Sequence, residues 1–209
     1  SVRVEQIQDN VEIELMRAGF YRQARRFILY REERAKDRAY INEIEQTVGL
    51  EGMHRLLKDV QRDYPHLCKS FGKLVSKYHA FHKPSMTAEE GLHALTRAAV
   101  ECITAEEPDW EFVAGRLYSF QNDLNIRHKM EGLQLQSLYD KLSYLTAEGY
   151  YGAYILERYT KAEIDLAETF LQPERDRLLT YSGLDLLLRR YTVRNFVHEQ
   201  LETPQEMYL

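Results

Sequence analysis

The chain has 209 residues, of which 29% are charged and 44% hydrophobic, and its formal net charge is −5. This length can bury a substantial core in one large or two small domains, while the acidic balance gives no general attraction to nucleic-acid phosphates. No apolar run reaches the ~20 residues of a membrane span, and the first residues lack signal-peptide character. The cysteines, Cys68 and Cys102, stand far apart, which favours the reducing cytoplasm over a disulfide framework.

Long helices are predicted for the first half, because the whole sequence has only ten glycines and five prolines. Apolar residues at spacings of three and four predict an amphipathic helix that begins near the first residue and ends at Gly19. A second helix carries Ala24 and continues through the charged run 31–38. Two further helices are predicted over 50–62 and 66–82.

Capping motifs and apolar spacing predict helices in the second half as well. Thr87 with Glu90, and Thr160 with Glu163, have the spacing of capping boxes at helix starts. Apolar spacing predicts a helix from Trp110 to Phe120, a polar stretch near 121–132, a helix from Leu135 to Gly149, and a long helix from Pro173 through Leu188. Residues 191–201 look strand-like. The expected fold is therefore all-α, mainly helical and orthogonal or bundle-like, with a short β-hairpin near the C-terminus.

The last residues contain a helix start with almost no helix after it. Thr203, Pro204 and Glu206 occupy the cap, first and third positions of a capping box, and only three residues follow Glu206. A stable helix needs several turns and a partner surface. We therefore expect the natural chain to continue beyond Leu209.

Catalytic and metal-binding patterns are scarce in the sequence. It has no Gly-rich phosphate loop and no Cys pair at metal spacing. His79 and His82 lie one helical turn apart, but no carboxylate adjoins them to complete a set of zinc ligands. Imidazoles near the C-terminus of a helix are also favoured by the helix dipole. We therefore predict no zinc site. Cys68 and Cys102 have no neighbouring basic cluster that would activate a thiol, so no catalytic residue is predicted.

Short motifs in a fixed order resemble ribonucleotide reductases. Residues 4–12, Ala24 and the run Ile28-Leu29-Tyr30-Arg31-Glu32-Glu33-Arg34 resemble the helical second half of an ATP-cone, the nucleotide-sensing module at the front of many of these enzymes. The later chain resembles the helical domain that follows the cone in the class I large subunit. Its matching motifs include Glu107-Pro108-Asp109-Trp110-Glu111, Tyr159-Thr160-Lys161-Ala162-Glu163-Ile164, Pro173-Glu174-Arg175-Asp176 and Glu202-Thr203-Pro204-Gln205-Glu206-Met207. Each motif is weak alone, but the family's order holds across nearly the whole chain.

The resemblance implies a domain division and a parent enzyme. Residues 1–48 would be the helical C-terminal half of an ATP-cone, and 49–209 the N-terminal helical domain, truncated before the catalytic barrel. The parent would be a class I ribonucleoside-diphosphate reductase large (alpha) subunit, an oxidoreductase that makes deoxyribonucleoside diphosphates for DNA synthesis by thiyl-radical chemistry. A β-rich cone segment would precede Ser1, and the barrel with its reactive cysteines would follow Leu209.

The resemblance also implies effectors and partners. ATP and dATP would be allosteric effectors of the parent. Its partners would be the α/β barrel of the same subunit, a second large subunit in a homodimer, and a separate small subunit that generates the radical with a metal cofactor. The chain alone would hold no cofactor, metal, nucleic acid or membrane, and would be inactive.

Two positions match nucleotide-contacting places of the family. Gln8 would face the base and sugar, and Arg34 would reach a phosphate, a task that suits the planar fork of donors on a guanidinium. The alternative is that Arg34 is a solvated charge beside Glu33. With only these two contacts, we expect a partial site that does not retain ATP or dATP at physiological concentration.

A weak internal repeat relates residues 24–30 to residues 114–120, which share alanine and aromatic positions at helical spacing. Leu124 stands where the first copy has Arg34. If residues 86–125 form a second cone-like unit, it has lost the phosphate contact and is structural.

Two alternatives to the class I reductase remain open at this point. The first is a non-enzymatic helical nucleotide-sensing or interaction module built on a partial cone. The second is the front end of an adenosylcobalamin-dependent reductase, which can look similar.

Overall fold

The computed structural model describes the backbone of residues 4–209 and the side chains from Gln6 onward. The α-helices are α1 (Val4–Arg17), α2 (Tyr21–Val48), α3 (Met53–Asp63), α4 (Phe71–Phe81), α5 (Ala88–Val100), α6 (Trp110–Gly132), α7 (Leu138–Ala147), α8 (Tyr154–Arg158), α9 (Lys161–Glu168), α10 (Tyr181–Arg190) and α11 (Pro204–Tyr208). Two 3₁₀ helices span Pro65–Ser70 and Pro173–Leu178. The prediction of a mainly helical fold is confirmed.

The chain forms two compact units, Ser1–Val75 and Ser76–Leu209. In the first unit the core lies between the second half of α2, α3 and the start of α4, and its buried side chains include Ile41, Ile44, Met53, Leu57 and Phe71. The first half of α2 pairs with α1, whose apolar residues Ile7, Val11, Ile13 and Met16 are exposed. The α1–α2 helical pair therefore joins this core through α2.

The second unit is organised around α6, which packs against α5, α10 and the 3₁₀ helix Pro173–Leu178. Trp110, the only tryptophan of the sequence, is fully buried at the start of α6, together with Leu92, Leu117, Leu184 and Leu188. The proposed division between residues 48 and 49 stays a prediction; at this point α2 ends at Val48 and Gly49 adopts a φ of 66°.

The capping signals in the sequence are realised in the structure. At Thr87 with Glu90, Thr160 with Glu163 and Thr203 with Glu206, the threonine side chain accepts from the glutamate N–H, and the glutamate carboxylate accepts from the threonine N–H. Each pair satisfies two backbone donors that would otherwise have no helical partner. Helices α5, α9 and α11 therefore begin where the sequence predicts.

The polar stretch near 121–132 is helical, which corrects the expected break after Phe120. Helix α6 continues to Gly132, and both Asn122 and Ile126 are buried along it. Burial of one face against the neighbouring helices outweighs the weak local helix preference of this segment.

The long helix expected from Pro173 to Leu188 is also wrong. Pro173–Leu178 is a 3₁₀ helix, Leu179 is extended, and α10 begins separately at Tyr181. Thr180 has an extended backbone and its side chain accepts from the N–H of Gly183, so it caps a new helix. The capping residue inside the leucine-rich run divides it into two elements.

The predicted β-hairpin is not confirmed. Within residues 191–201 the chain makes a single antiparallel bridge between Arg194 and Gln200. Phe196 contacts the ring of Tyr150, with the ring centroids 5.5 Å apart, but Phe196 and Val197 at the turn are still 88% and 72% exposed, so these strand-forming side chains bury little surface. Apolar and β-branched residues predict a strand here, but the segment lacks the burial that stabilises a strand.

Gly115 marks a close approach between backbones in the second unit. A Cβ at this position would lie 2.4 Å from the carbonyl oxygen of Leu179. The segment that leads into α10 therefore crosses α6 at a distance that only glycine permits.

Among the described residues, no helix is both long enough and apolar enough to cross a membrane.

Candidate functional site

The two residues singled out from the sequence line one open cavity of about 610 Å³ between α1 and α2. Gln8 contributes from α1, and Arg31, Arg34 and Arg38 from α2. Residues three or four apart on a helix share a face, so the charged run of α2 places its arginines along one wall. The structure thus brings Gln8 and Arg34 together and adds two arginines that the sequence reasoning did not single out.

Arg31 holds the two helices of this cavity together. Its guanidinium donates to Asp9 at 2.8 Å and to Glu12 at 3.1 Å, both on α1. The Arg31 side chain is only 23% exposed, so these charge-assisted bonds are partly shielded from solvent. Arg31 therefore joins α1 to α2 at the cavity that Gln8 and Arg34 both line.

Arg34 is held at the cavity by Tyr30, one helical turn before it. The Arg34 Nε donates to the Tyr30 hydroxyl at 3.2 Å, and the guanidinium carbon lies 5.4 Å from the Tyr30 ring centroid. The hydrogen bond to Tyr30 is the main cause that raises the pKa of Arg34. One donor of five is used in this bond, so the others could face an anion.

A second cavity of the first unit, about 440 Å³, adjoins the other side of Arg34 and contains Asp37 and Cys68. The Cys68 thiol hydrogen bonds with Asp37. Burial, followed by the charge of Asp37, raises the pKa of Cys68, and burial also raises the pKa of Asp37. A thiol in this environment is a poor nucleophile.

His79 and His82 both lie beside the ring of Tyr78, with centroid separations of 5.9 and 5.2 Å. Within the described part of the chain, no cluster of three or more His, Cys, Asp or Glu side chains could hold a metal ion. That these two histidines bind no zinc stays a prediction.

Comparison with known proteins gives the class of the first helical pair. Residues 1–36 match the family described as the ATP cone domain. Both Gln8 and Arg34 fall inside the matched segment, and so does Arg31. Most of the cavity between α1 and α2 therefore lies within the segment that matches the ATP cone domain, and Arg38 lies just beyond it.

Relatives extend the match over the whole chain. The chain is 40% identical, over 208 residues, to the ribonucleoside-diphosphate reductase subunit alpha of Treponema pallidum, covering 100% of this chain and 25% of that protein. It is 30% identical over 138 residues to the phage T4 subunit alpha (66% of this chain, 18% of that protein). It is 25% identical over 166 residues to the ribonucleoside-diphosphate reductase 1 subunit alpha of Escherichia coli (78% of this chain, 21% of that protein). The chain belongs to the ribonucleoside-diphosphate reductase alpha-subunit family and spans up to about a quarter of the length of these relatives.

Proposed function

We propose that this chain is the regulatory and structural N-terminal part of a class I ribonucleotide reductase large subunit. The parent reduces ribonucleoside diphosphates to deoxyribonucleoside diphosphates by thiyl-radical chemistry. The observation that carries the proposal is the 40% identity to the Treponema pallidum alpha subunit, because it extends over the whole of this chain rather than the cone alone. That continuity favours a reductase subunit over a free-standing module built on a partial cone.

The α1–α2 cavity is proposed as the part of the effector site that this chain supplies. Gln8 offers an amide that can pair with a base or sugar, and Arg34 offers guanidinium donors for a phosphate. Arg38 stands on the same wall of the cavity and adds positive charge. ATP and dATP are the proposed effectors.

The radical and the reducing thiols are proposed to come from elsewhere in the parent. The metal-radical cofactor would reside on a separate small subunit, and the substrate thiols on the α/β barrel. Residues 1–48 are the proposed helical half of the cone and 49–209 the proposed helical domain before the barrel, in a parent that forms homodimers. The two cysteines, Cys68 and Cys102, stand far apart in the sequence, which supports a cytoplasmic location.

A chimera tests the proposal. This chain would replace its 208-residue counterpart in the Treponema pallidum alpha subunit, and reduction of cytidine diphosphate would be measured with the small subunit and a dithiol reductant. We expect turnover that responds to ATP and dATP. A soluble, folded chimera that binds the small subunit but forms no deoxynucleotide would contradict the proposed placement of this chain.

The effector role of Arg34 needs a matched pair of variants in the chimera. Arg34→Ala should shift the effector concentration for half-maximal response upward by about tenfold, because one charge-assisted phosphate contact is worth roughly 1–3 kcal/mol. Arg25→Ala removes an exposed arginine of the same helix and should leave the response unchanged. Equal responses of the two variants would show that Arg34 is a solvated charge.

A further inference from the structure

The second unit contains a polar cavity of about 600 Å³ that the proposed function does not use. One wall is the middle of α6, where Tyr118, Gln121, Asn122, Asn125 and His128 line it. Glu89 at the start of α5 and the turn 198–200 form the remaining walls. Its lining is rich in amides and rings rather than aliphatic side chains, which favours a ligand that forms hydrogen bonds.

The charges around this cavity are paired with one another. Lys129 donates to Glu199 at 2.5 Å, and a ring nitrogen of His128 lies 3.1 Å from a carboxylate oxygen of Glu89. Because the one lysine of the lining is matched by a carboxylate, the cavity offers little attraction to a polyanion. A neutral ligand fits this balance better than a phosphorylated one.

Two adjacent amides of the cavity have buried polar atoms without a hydrogen-bond partner. They are Nδ2 of Asn122, a residue that is 4% exposed, and Oε1 of Gln121. A buried donor or acceptor left unpaired is destabilising, and such groups in a native structure call for a partner. A ligand that presents an acceptor beside a donor would satisfy both, as the edge of a nucleobase does.

Aromatic rings flank these amides. Tyr118 packs against Tyr181 with ring centroids 5.3 Å apart, which fixes its ring at the cavity. His198 is held at a φ of 65° in the turn that closes the cavity, a backbone region that residues with side chains seldom adopt. Planar side chains beside hydrogen-bonding amides are the usual means of holding a base.

Most of the α6 residues that line this cavity correspond, in the internal repeat, to α2 residues that line the α1–α2 cavity. The internal repeat aligns Ala24 with Ala114, so Arg31 corresponds to Gln121, Arg34 to Leu124 and Arg38 to His128. The first cavity is lined by the three arginines, whereas Gln121 and His128 line the second. Equivalent helix positions thus surround both cavities, and the second lacks the guanidinium groups that suit phosphate.

We propose that the α5–α6 cavity binds a nucleoside, that is, a base with its sugar and without phosphates. Oε1 of Gln121 and Nδ2 of Asn122 pair with the base edge, and the rings beside them contact its faces. This site is separate from the proposed effector site, so the two proposals can fail independently.

Calorimetric titration of the 209-residue chain with adenosine and with uridine tests this site. We expect saturable binding of at least one of them, with ribose alone binding at least tenfold more weakly. In an Arg34→Ala background, ATP should also bind more weakly than adenosine, because the α5–α6 cavity has no group for its phosphates. Failure of both nucleosides to bind at millimolar concentration would overturn the proposal.

Asn122→Leu provides the decisive variant. Leucine matches asparagine in size and removes the unpaired buried donor, so the melting temperature should be equal or higher while nucleoside affinity falls at least tenfold. Asn42→Leu, at an exposed position of α2, is the matched control and should leave affinity unchanged. Nucleoside binding that survives in a folded Asn122→Leu variant, or that is lost equally in Asn42→Leu, would exclude this cavity as the site.

Discussion

Lys141 and Glu206, on α7 and α11, form a buried ion pair in which Lys141 Nζ lies 2.8 and 2.7 Å from the two carboxylate oxygens. Lys141 is 4% exposed. The same carboxylate accepts from the backbone N–H of Thr203 in the capping box of α11. One carboxylate thus both starts α11 and fixes it against α7.

Lys141→Met should destabilise the second unit by roughly 3–5 kcal/mol, because it leaves the Glu206 charge buried without its partner. Urea unfolding followed by Trp110 fluorescence reports this unit. Lys161→Met, which breaks an exposed pair with Asp165, should cost about 0.5 kcal/mol or less. The double variant Lys141→Met, Glu206→Gln should recover much of the loss; if it is no more stable than Lys141→Met alone, the buried charge is not the cause.

The second unit should lose stability as the pH rises from about 4 to about 7. Burial, and then the charge of Asp176, raises the pKa of Asp123 to about 7, against the favourable charges of Arg127 and Arg177; Glu206 also raises it. The folded state therefore holds this proton more tightly than the unfolded state, and the resulting stabilisation is present at low pH and lost as pH passes the folded pKa.

Asp123→Asn tests this linkage. The difference in unfolding free energy between the variant and the parent, measured by Trp110 fluorescence, should grow in favour of the variant between about pH 4 and about pH 7 by an amount on the order of a few kcal/mol. Glu174→Gln, at an exposed position, should show no such trend. A difference that is independent of pH would refute the raised pKa.

Arg31→Met should loosen α1 without unfolding the core of the first unit. It removes both bonds between α2 and α1, and hydrogen exchange of the α1 amides should accelerate about 5- to 10-fold, as expected for roughly 1 kcal/mol. Arg17→Met, which breaks a pair confined to α1, is the control and should have a much smaller effect. Uniform acceleration in α1 and α3 would instead indicate general destabilisation.

The 209-residue chain alone should form no deoxynucleotide when supplied with a small subunit and reductant. The reaction requires a pair of oxidisable thiols close together and a third thiol for the radical, whereas this chain has two cysteines. Assay of cytidine diphosphate reduction checks this expectation, with the chimera as the positive control. Turnover by the chain itself would mean that its cysteines participate in the chemistry.

The sequence predicted best those features that depend on neighbouring residues. The box of Thr160 and Glu163 was readable because both of its hydrogen bonds lie within four residues. Thr180 carries only a weak capping signal, because glycine rather than glutamate follows it three residues later. The leucine spacing around it is a stronger signal and predicts one continuous helix. The predicted hairpin is not confirmed, because strand formation depends on packing, which cannot be inferred from composition.

The candidate site, by contrast, depends on a resemblance to a family and on tertiary structure. Gln8 and Arg34 were identified by resemblance, and the structure adds the wall that Arg31 and Arg38 share with Arg34. The cavity on α6 was not foreseen, because its lining combines helix residues with the distant turn 198–200. Side chains that meet only through tertiary folding leave no local pattern in the sequence.

Gly115 shows that the two helices of the weak internal repeat have different surroundings. The internal repeat pairs it with Arg25, which is exposed on α2, whereas at Gly115 the carbonyl of Leu179 occupies the space of a side chain. On α2 this face is exposed to solvent at Arg25. On α6 the same face is covered at Gly115 by the segment that leads into α10. A side chain transplanted from one copy to the other at this position would therefore act as a wedge, so the similarity of the two stretches does not make them interchangeable parts.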